Sequence, residues 1–164
     1  MIVLIIVSVL AALALPGLSG FSSKKDLWAQ ADELTGLIAQ VRMNAMNDGK
    51  PWRIVFSPPQ RTYVSFCDAN GNMQPDPGEQ SIGPVSLRRG LCFGSHAPHG
   101  PNNTKIPDDG ISFVNERVSF SPLGTCNAGT IYLCSERESL ALRILPASGT
   151  IQRYSFEEEW RNLQ

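Results

Sequence analysis

The sequence lacks charge at its start, because no ionisable side chain precedes Lys24. Within Met1–Leu15 the only polar side chain is Ser8, and Pro16-Gly17 follows. A segment that is apolar on all sides is typical of a protein core, a membrane span or a signal peptide. As a helix its length is about 22 Å, short of the ~30 Å hydrocarbon core of a bilayer. The basic n-region of a signal peptide is absent, so the pattern favours part of an anchor whose first residues lie upstream.

The sequence also lacks the residue patterns of an enzyme and of a basic nucleic-acid-binding protein. It has no Walker loop, no nucleophile elbow and no His-Glu-x-x-His, and the formal net charge is −1. His96 and His99 are its two histidines, in a Pro/Gly-rich stretch that predicts exposed loop residues. We therefore expect no catalytic site and no overall positive field that would attract nucleic acid.

What the sequence does contain is one amphipathic segment followed by a β-rich remainder. Residues 24–48 carry apolar side chains at spacings of three and four, which predicts a helix that ends at Gly49. Pro16-Gly17 and Gly20 should bend or interrupt its junction with the apolar segment. We predict three parts: an apolar helix (1–23), an amphipathic helix (24–49) and a β-rich head (50–164).

Alternating patterns in the head predict antiparallel strands separated by turns. The clearest are at 52–56, 62–67, 129–134, 140–145 and 150–156, with weaker ones at 84–87, 91–93, 111–113 and 118–120. Residues 157–164 look like a polar tail. The fold class predicted is α+β, with a long N-terminal helix packed on an antiparallel β-rich head.

Four cysteines form an even set that favours disulfides if the chain is exported. A zinc site is the alternative, although the spacings are not Cys-x-x-Cys. Cys126 and Cys134 flank the turn Asn127-Ala128-Gly129, which predicts a Cys126–Cys134 bridge. Elimination then pairs Cys67 with Cys92.

The stretch from Asp68 to Glu79 has the oxygen spacing of a calcium-binding loop. Its sixth position, which normally requires glycine, is Met73. The alternative is a turn-rich insertion in which Asn, Asp and Gly suit tight turns. If calcium binds, the predicted ligands are Asp68, Asn70, Asn72, Asp76 and Glu79; otherwise we expect no cofactor.

Residues 1–16 resemble the N-terminal helix of type IV pilins and type II secretion pseudopilins, whose apolar run ends in Ala-Ala-x-Ala-x-Pro. Here that ending is residues 11–16. Leu37–Met46, Phe120–Gly124 and a late Ser-Gly turn at residues 148–149 resemble the GspH and FimT branch. The resemblance implies a helix that lies in a membrane or filament core, through Ile2, Val3, Leu4, Ile5, Ile6, Val9, Leu10, Leu13 and Pro16.

The same resemblance implies a structural minor pseudopilin or pilin, with its helix in the bacterial inner membrane and its head in the periplasm. Other pilins and the inner-membrane assembly platform are the implied partners, and the processing site and methylated residue would lie upstream. Two alternatives stay open: a secreted β-domain with a signal peptide, and a competence-type pilin that binds DNA. DNA is the weaker expectation, because the relevant arginine, Arg153, is displaced by one residue from the Gly-Arg-x-Arg pattern.

Overall fold

The computed structural model describes the backbone of residues 2–163 and the side chains of residues 23–163. Helix α1 runs from Ile2 to Asp48 as one element of 47 residues. It is not interrupted at Pro16, Gly17 or Gly20, where the sequence predicted a bend or a break. The apolar side chains predicted to lie in a membrane or filament core fall outside the described side chains. Within the described residues, no helical stretch is both long and apolar enough for a membrane span.

In the part of the chain that the structure describes, nine strands follow the helix, and every pairing between them is antiparallel. Their bounds are β1 Trp52–Ser57, β2 Thr62–Cys67, β3 Ser81–Ser86, β4 Cys92–Phe93, β5 Arg117–Phe120, β6 Gly129–Cys134, β7 Ser139–Ile144, β8 Ile151–Phe156 and β9 Trp160–Asn162. The first sheet has the order β3-β2-β1-β5, and the second has the order β4-β6-β7-β8-β9. The predicted helix packed on an antiparallel head is confirmed for the described part of the chain.

One apolar core joins the described half of α1 to the inner faces of both sheets. The helix contributes a single stripe, because residues three and four apart share a face. Its six buried members are Leu27, Ala31, Leu34, Ile38, Val41 and Ala45. Alternate residues of the strands nearest the helix complete this core, as in β1, where Trp52, Ile54 and Phe56 are buried. Burial of each large side chain contributes about 1.5–3 kcal/mol.

The strand predictions were least accurate where pairing, not sequence pattern, determines the structure. The segment at 111–113 forms only a single bridge, from Ile111 to Ile131. The predicted polar tail contains β9, which pairs with β8 from Trp160 opposite Phe156 to Asn162 opposite Tyr154. Trp160 also packs on a second, smaller cluster on the outer face of the sheet, formed by Tyr132, Ala141 and Tyr154.

Candidate assembly surface where the helix meets the head

Gln30 is the polar centre of the contact between α1 and the first sheet. It is fully buried on the apolar stripe of the helix. Its amide nitrogen donates to the Tyr63 hydroxyl at 3.2 Å, and its amide oxygen accepts the Arg88 backbone N–H at 2.9 Å. Burial raises the pKa of Tyr63, with a further contribution from the nearby Glu33 carboxylate. A buried amide satisfied on both sides fixes the axial position of the helix, because any slide would leave its polar atoms unpaired.

Ion pairs flank the apolar stripe on both sides of the helix. Arg88, in the connection between β3 and β4, pairs with Glu33 and with Asp26 at 3.6 Å. On the other flank, Lys24 reaches Glu138 at 2.8 Å. These pairs lie at the surface, where water screens them, so each stabilises the contact only weakly. Their main effect is to orient the helix on the head, and they add little to the stability of the contact.

Arg42 ties the C-terminal part of the helix to two turns of the head. Its Nε donates to the Gly124 carbonyl at 3.0 Å. A Cβ atom added at Gly124 would lie 2.7 Å from the Met46 sulfur, and one at Gly149 would lie 2.7 Å from Arg42 Cδ. Both glycines also have positive φ, 77° and 63°. Glycine is therefore required at both turns by conformation and by the closeness of the helix.

The structure thereby brings together three separate stretches that the sequence related to the GspH and FimT branch. They are the helix end around Arg42, the turn that ends at Gly124 and the turn at Gly149. The sequence pattern does not predict their contact, because the contact arises from tertiary packing between distant segments. The pairing of Arg42 with Gly124 spans 82 positions.

The cysteine pairing differs from both predicted bridges. Cys92 is bonded to Cys134 with a Cα–Cα distance of 5.4 Å, and Cys67 and Cys126 are free. Cys92 and Cys134 lie directly opposite each other on the paired strands β4 and β6. Cys126 precedes β6 while Cys134 ends it, so an extended strand separates them by roughly 20 Å or more. The predicted Cys126–Cys134 and Cys67–Cys92 pairs are therefore wrong.

The stretch 68–79, predicted as a calcium-binding loop or a turn-rich insertion, is closed by its own hydrogen bonds. The side-chain amides of Asn70 and Asn72 both donate to Asp76, at 2.7 and 2.6 Å. Glu79 accepts the backbone N–H of Ala69 at 3.0 Å and that of Asp76 at 3.2 Å. Met73, at the position that normally needs glycine, has the left-handed φ of 66°. No group of three or more acidic, His or Cys side chains arranged to hold a metal ion occurs among the described residues.

Asp68, the first of the predicted calcium ligands, is buried and already has a cationic partner. Its carboxylate pairs with the Nε of Arg53 on β1, and the same guanidinium donates to the Ser119 hydroxyl at 2.7 Å. Burial alone would raise the pKa of Asp68, but the hydrogen bond and charge of Arg53 hold that pKa below its usual value. The Arg53–Asp68 ion pair and the hydrogen bond to Ser119 therefore hold the start of the loop against β1, β2 and β5.

Arg153, the arginine considered for DNA binding, points toward the helix. It occupies β8 directly opposite Leu142, a member of the main core, and pairs with Asp32 of α1. Arg153 is displaced by one residue from the Gly-Arg-x-Arg pattern, and this displacement explains why its side chain faces the helix, because alternate residues of a strand face opposite sides of the sheet. Glu157, just beyond β8, lies 3.9 Å from Lys24. His96 and His99, predicted as exposed loop residues, are exposed.

A long N-terminal helix whose C-terminal half packs on an antiparallel head defines a protein of the pilin and pseudopilin class. The model of the family described as "Type II transport protein GspH" matches residues 30–149, which is most of the chain, and the chain belongs to that family. Curated protein sequences gave no significant match.

Solved structures that share the fold include a minor pseudopilin and a minor pilin. The minor pseudopilin EpsH from the type 2 secretion system of Vibrio cholerae aligns with a TM-score of 0.52 and 11% identity, over 78% of this chain and 95% of that one. The type IV minor pilin FimU of Pseudomonas aeruginosa aligns with a TM-score of 0.52 and 16% identity, over 80% of this chain and 90% of that one. At these identities the likeness concerns the fold.

Proposed function

We propose that this chain is a structural minor subunit of a type II secretion pseudopilus or a type IV pilus. The observation that carries the proposal is the family match over residues 30–149, which covers both the helix end and the head. The packing agrees with such a role. A head fixed to its helix by a buried amide, an apolar stripe and the Arg42 contacts moves with that helix as one body. A filament subunit needs this rigidity to hold its position among its neighbours.

We further propose that the apolar segment Met1–Leu15 lies in the inner membrane before assembly and among the helices of other subunits afterwards. An all-apolar helix requires lipid or other apolar helices around it. The head would then lie in the periplasm, and the assembly platform would act on the membrane-embedded end. In the related families the subunits are structural, which supports a role without catalysis.

The alternative role, a competence-type pilin that binds DNA, has less support. DNA affinity depends on several Lys or Arg side chains that neutralise phosphates on one face. Arg153 is paired with Asp32, and residues 157–159 place three carboxylates directly after its strand. We expect no shift of duplex DNA at physiological salt in a gel-shift titration. Tight binding that weakens steeply with salt would favour the DNA-binding role.

The anchor proposal is tested by fractionating cells that express the tagged chain with and without residues 1–23. We expect the full chain in the inner-membrane fraction and the shortened chain as a soluble, folded head. A full chain recovered mainly as a soluble protein, or a shortened chain that is insoluble under oxidising conditions, would contradict the anchor.

Assembly is tested separately by cross-linking in the membrane and by shearing surface filaments. The variant Ile5→Asp/Val9→Asp should be lost from the membrane cross-links and from the sheared filaments, because two carboxylates would be buried in lipid or among apolar helices. The matched variant Ile5→Leu/Val9→Leu should retain both. Equal behaviour of the two variants would show that the apolar segment has no part in assembly.

A further inference from the structure

The outer face of the second sheet, which points away from α1, contains a cavity with a basic wall. The cavity has a volume of about 250 Å³, and its lining includes Thr104, Lys105, Thr130, Tyr132 and Arg143. Arg143 lies between Thr130 and Gln152 on the neighbouring strands. Its neighbours in sequence, Leu142 and Ile144, belong to the main core. Strand alternation therefore places Arg143 on the opposite, outer face.

Arg143 differs from the other half-buried arginines of the described chain in having no partner. Arg42, Arg53, Arg117 and Arg153 each donate to a named carboxylate, carbonyl or hydroxyl group. No hydrogen bond or ion pair reaches Arg143 among the residues whose side chains are described. Lys105, which lines the same cavity, is exposed and equally unpaired there. A half-buried cation without a counter-charge at the wall of a cavity is suited to an incoming carboxylate.

The same chain presents unpaired carboxylates at the other end of this face. Glu157, Glu158 and Glu159 form the turn between β8 and β9. Glu157 is neutralised by Lys24 and by Arg161. No partner of Glu158 or Glu159 is found in the described part of the chain, and both side chains are exposed.

The two charged sites lie at opposite ends of one strand. Gln152, directly opposite Arg143, is near the start of β8, and the acidic turn follows its end at Phe156. At about 3.3 Å per residue, the turn lies roughly 13 Å or more from the level of Arg143. This separation prevents the turn from reaching the cavity of its own head.

We propose that the Glu158–Glu159 turn of one copy of this chain enters the Lys105–Arg143 cavity of a second copy. The contact joins two different patches, so it is heterologous. Each added copy leaves one free turn and one free cavity, and association can continue in one direction. Charge complementarity between the patches selects a second copy as the occupant. The inference rests on the filament-subunit role only in that such subunits meet one another.

The test measures self-association of the full chain in detergent micelles by sedimentation velocity. Measurements are made at about 50 mM and about 500 mM salt, where screening differs strongly. We expect wild-type association that increases with concentration and weakens at high salt. Lys105→Glu/Arg143→Glu and, separately, Glu158→Lys/Glu159→Lys should each weaken it by roughly tenfold or more, because opposed charges become like charges.

Mixing the two variants provides the decisive measurement. The Lys105→Glu/Arg143→Glu variant keeps its acidic turn, which fits the unchanged basic cavity of the Glu158→Lys/Glu159→Lys variant. The acidic cavity of the former also fits the basic turn of the latter. We therefore expect a one-to-one mixture to regain wild-type association, which damage to folding could not produce. Arg61→Glu and Glu116→Lys change exposed charges that belong to neither patch, so they should leave association unchanged.

Three results would overturn the proposal: a monomeric wild type at low salt, cavity variants that associate normally, or a mixture no better than its components. If the double reversal lowers the melting temperature, Arg143→Gln replaces it, since it removes the charge and nearly preserves the length. Because association is measured in solution, any of these failures would leave the filament-subunit role standing. Loss of membrane and filament recovery for Ile5→Asp/Val9→Asp is the separate test of that role.

Discussion

Reduction of the Cys92–Cys134 bond should cost this protein a large share of its stability. The bond joins positions 42 apart and links β4 to β6. In the chain-entropy account, a closed loop of this length stabilises the native state by about 4 kcal/mol. A typical domain has only about 5–15 kcal/mol of unfolding free energy in total.

The assay is urea unfolding of the full chain in mild detergent, oxidised and after reduction. With a dependence of about 2 kcal/mol per molar urea, the midpoint should fall by about 2 M. Non-reducing peptide mapping should recover one cross-linked pair that contains Cys92 and Cys134. Cys126→Ser is the matched control, since Cys126 is free and half-buried, and it should retain the full effect of reduction.

Two results would refute this reasoning. A cross-linked peptide that joins Cys67 to Cys92, or Cys126 to Cys134, would restore the pairing predicted from sequence. An unchanged urea midpoint on reduction would mean that the bond restricts the unfolded chain too little to stabilise the native state.

Three further predictions concern the helix and the loop at 68–79. Ile38→Ala should cost about 2–5 kcal/mol in urea unfolding because Ile38 is fully buried, whereas exposed Gln40→Ala should cost under about 0.5 kcal/mol. Because Arg53 lowers the pKa of Asp68, the pair should stabilise the fold above pH about 4 and lose this effect as pH falls through the lower native pKa. Asp68→Asn should therefore be destabilised most at neutral pH, and a constant difference from wild type across the acid range would contradict this. The melting temperature should be the same in calcium and in chelator, because Arg53 and the loop amides already satisfy the carboxylates. A melting temperature that rises with calcium in the wild type but not in Glu79→Ala would establish a calcium site.

The sequence by itself determined the elements with a strong local signal. The apolar positions of residues 24–48 repeat at helical spacing and predicted the buried face, which also includes one polar residue, Gln30, that the pattern did not place there. Strands β1, β2, β6, β7 and β8 were predicted to within one residue at each end, because alternation and turn residues mark them locally. The resemblance at Leu37–Met46 and Phe120–Gly124 identified the family before any packing was known.

Tertiary structure decided what depends on contact between distant residues. Two-residue β4 has only a weak local pattern, and it is its register opposite β6 that makes Cys134 the partner of Cys92. β9 was predicted as a polar tail because its few residues carry too little pattern, and pairing with β8 makes it a strand. The oxygens at 68–79 had a ligand spacing, but Arg53, 15 positions away, satisfies the first of them. Spacing along a chain reports local geometry alone, whereas charge neutralisation and strand register depend on which segments the fold places side by side.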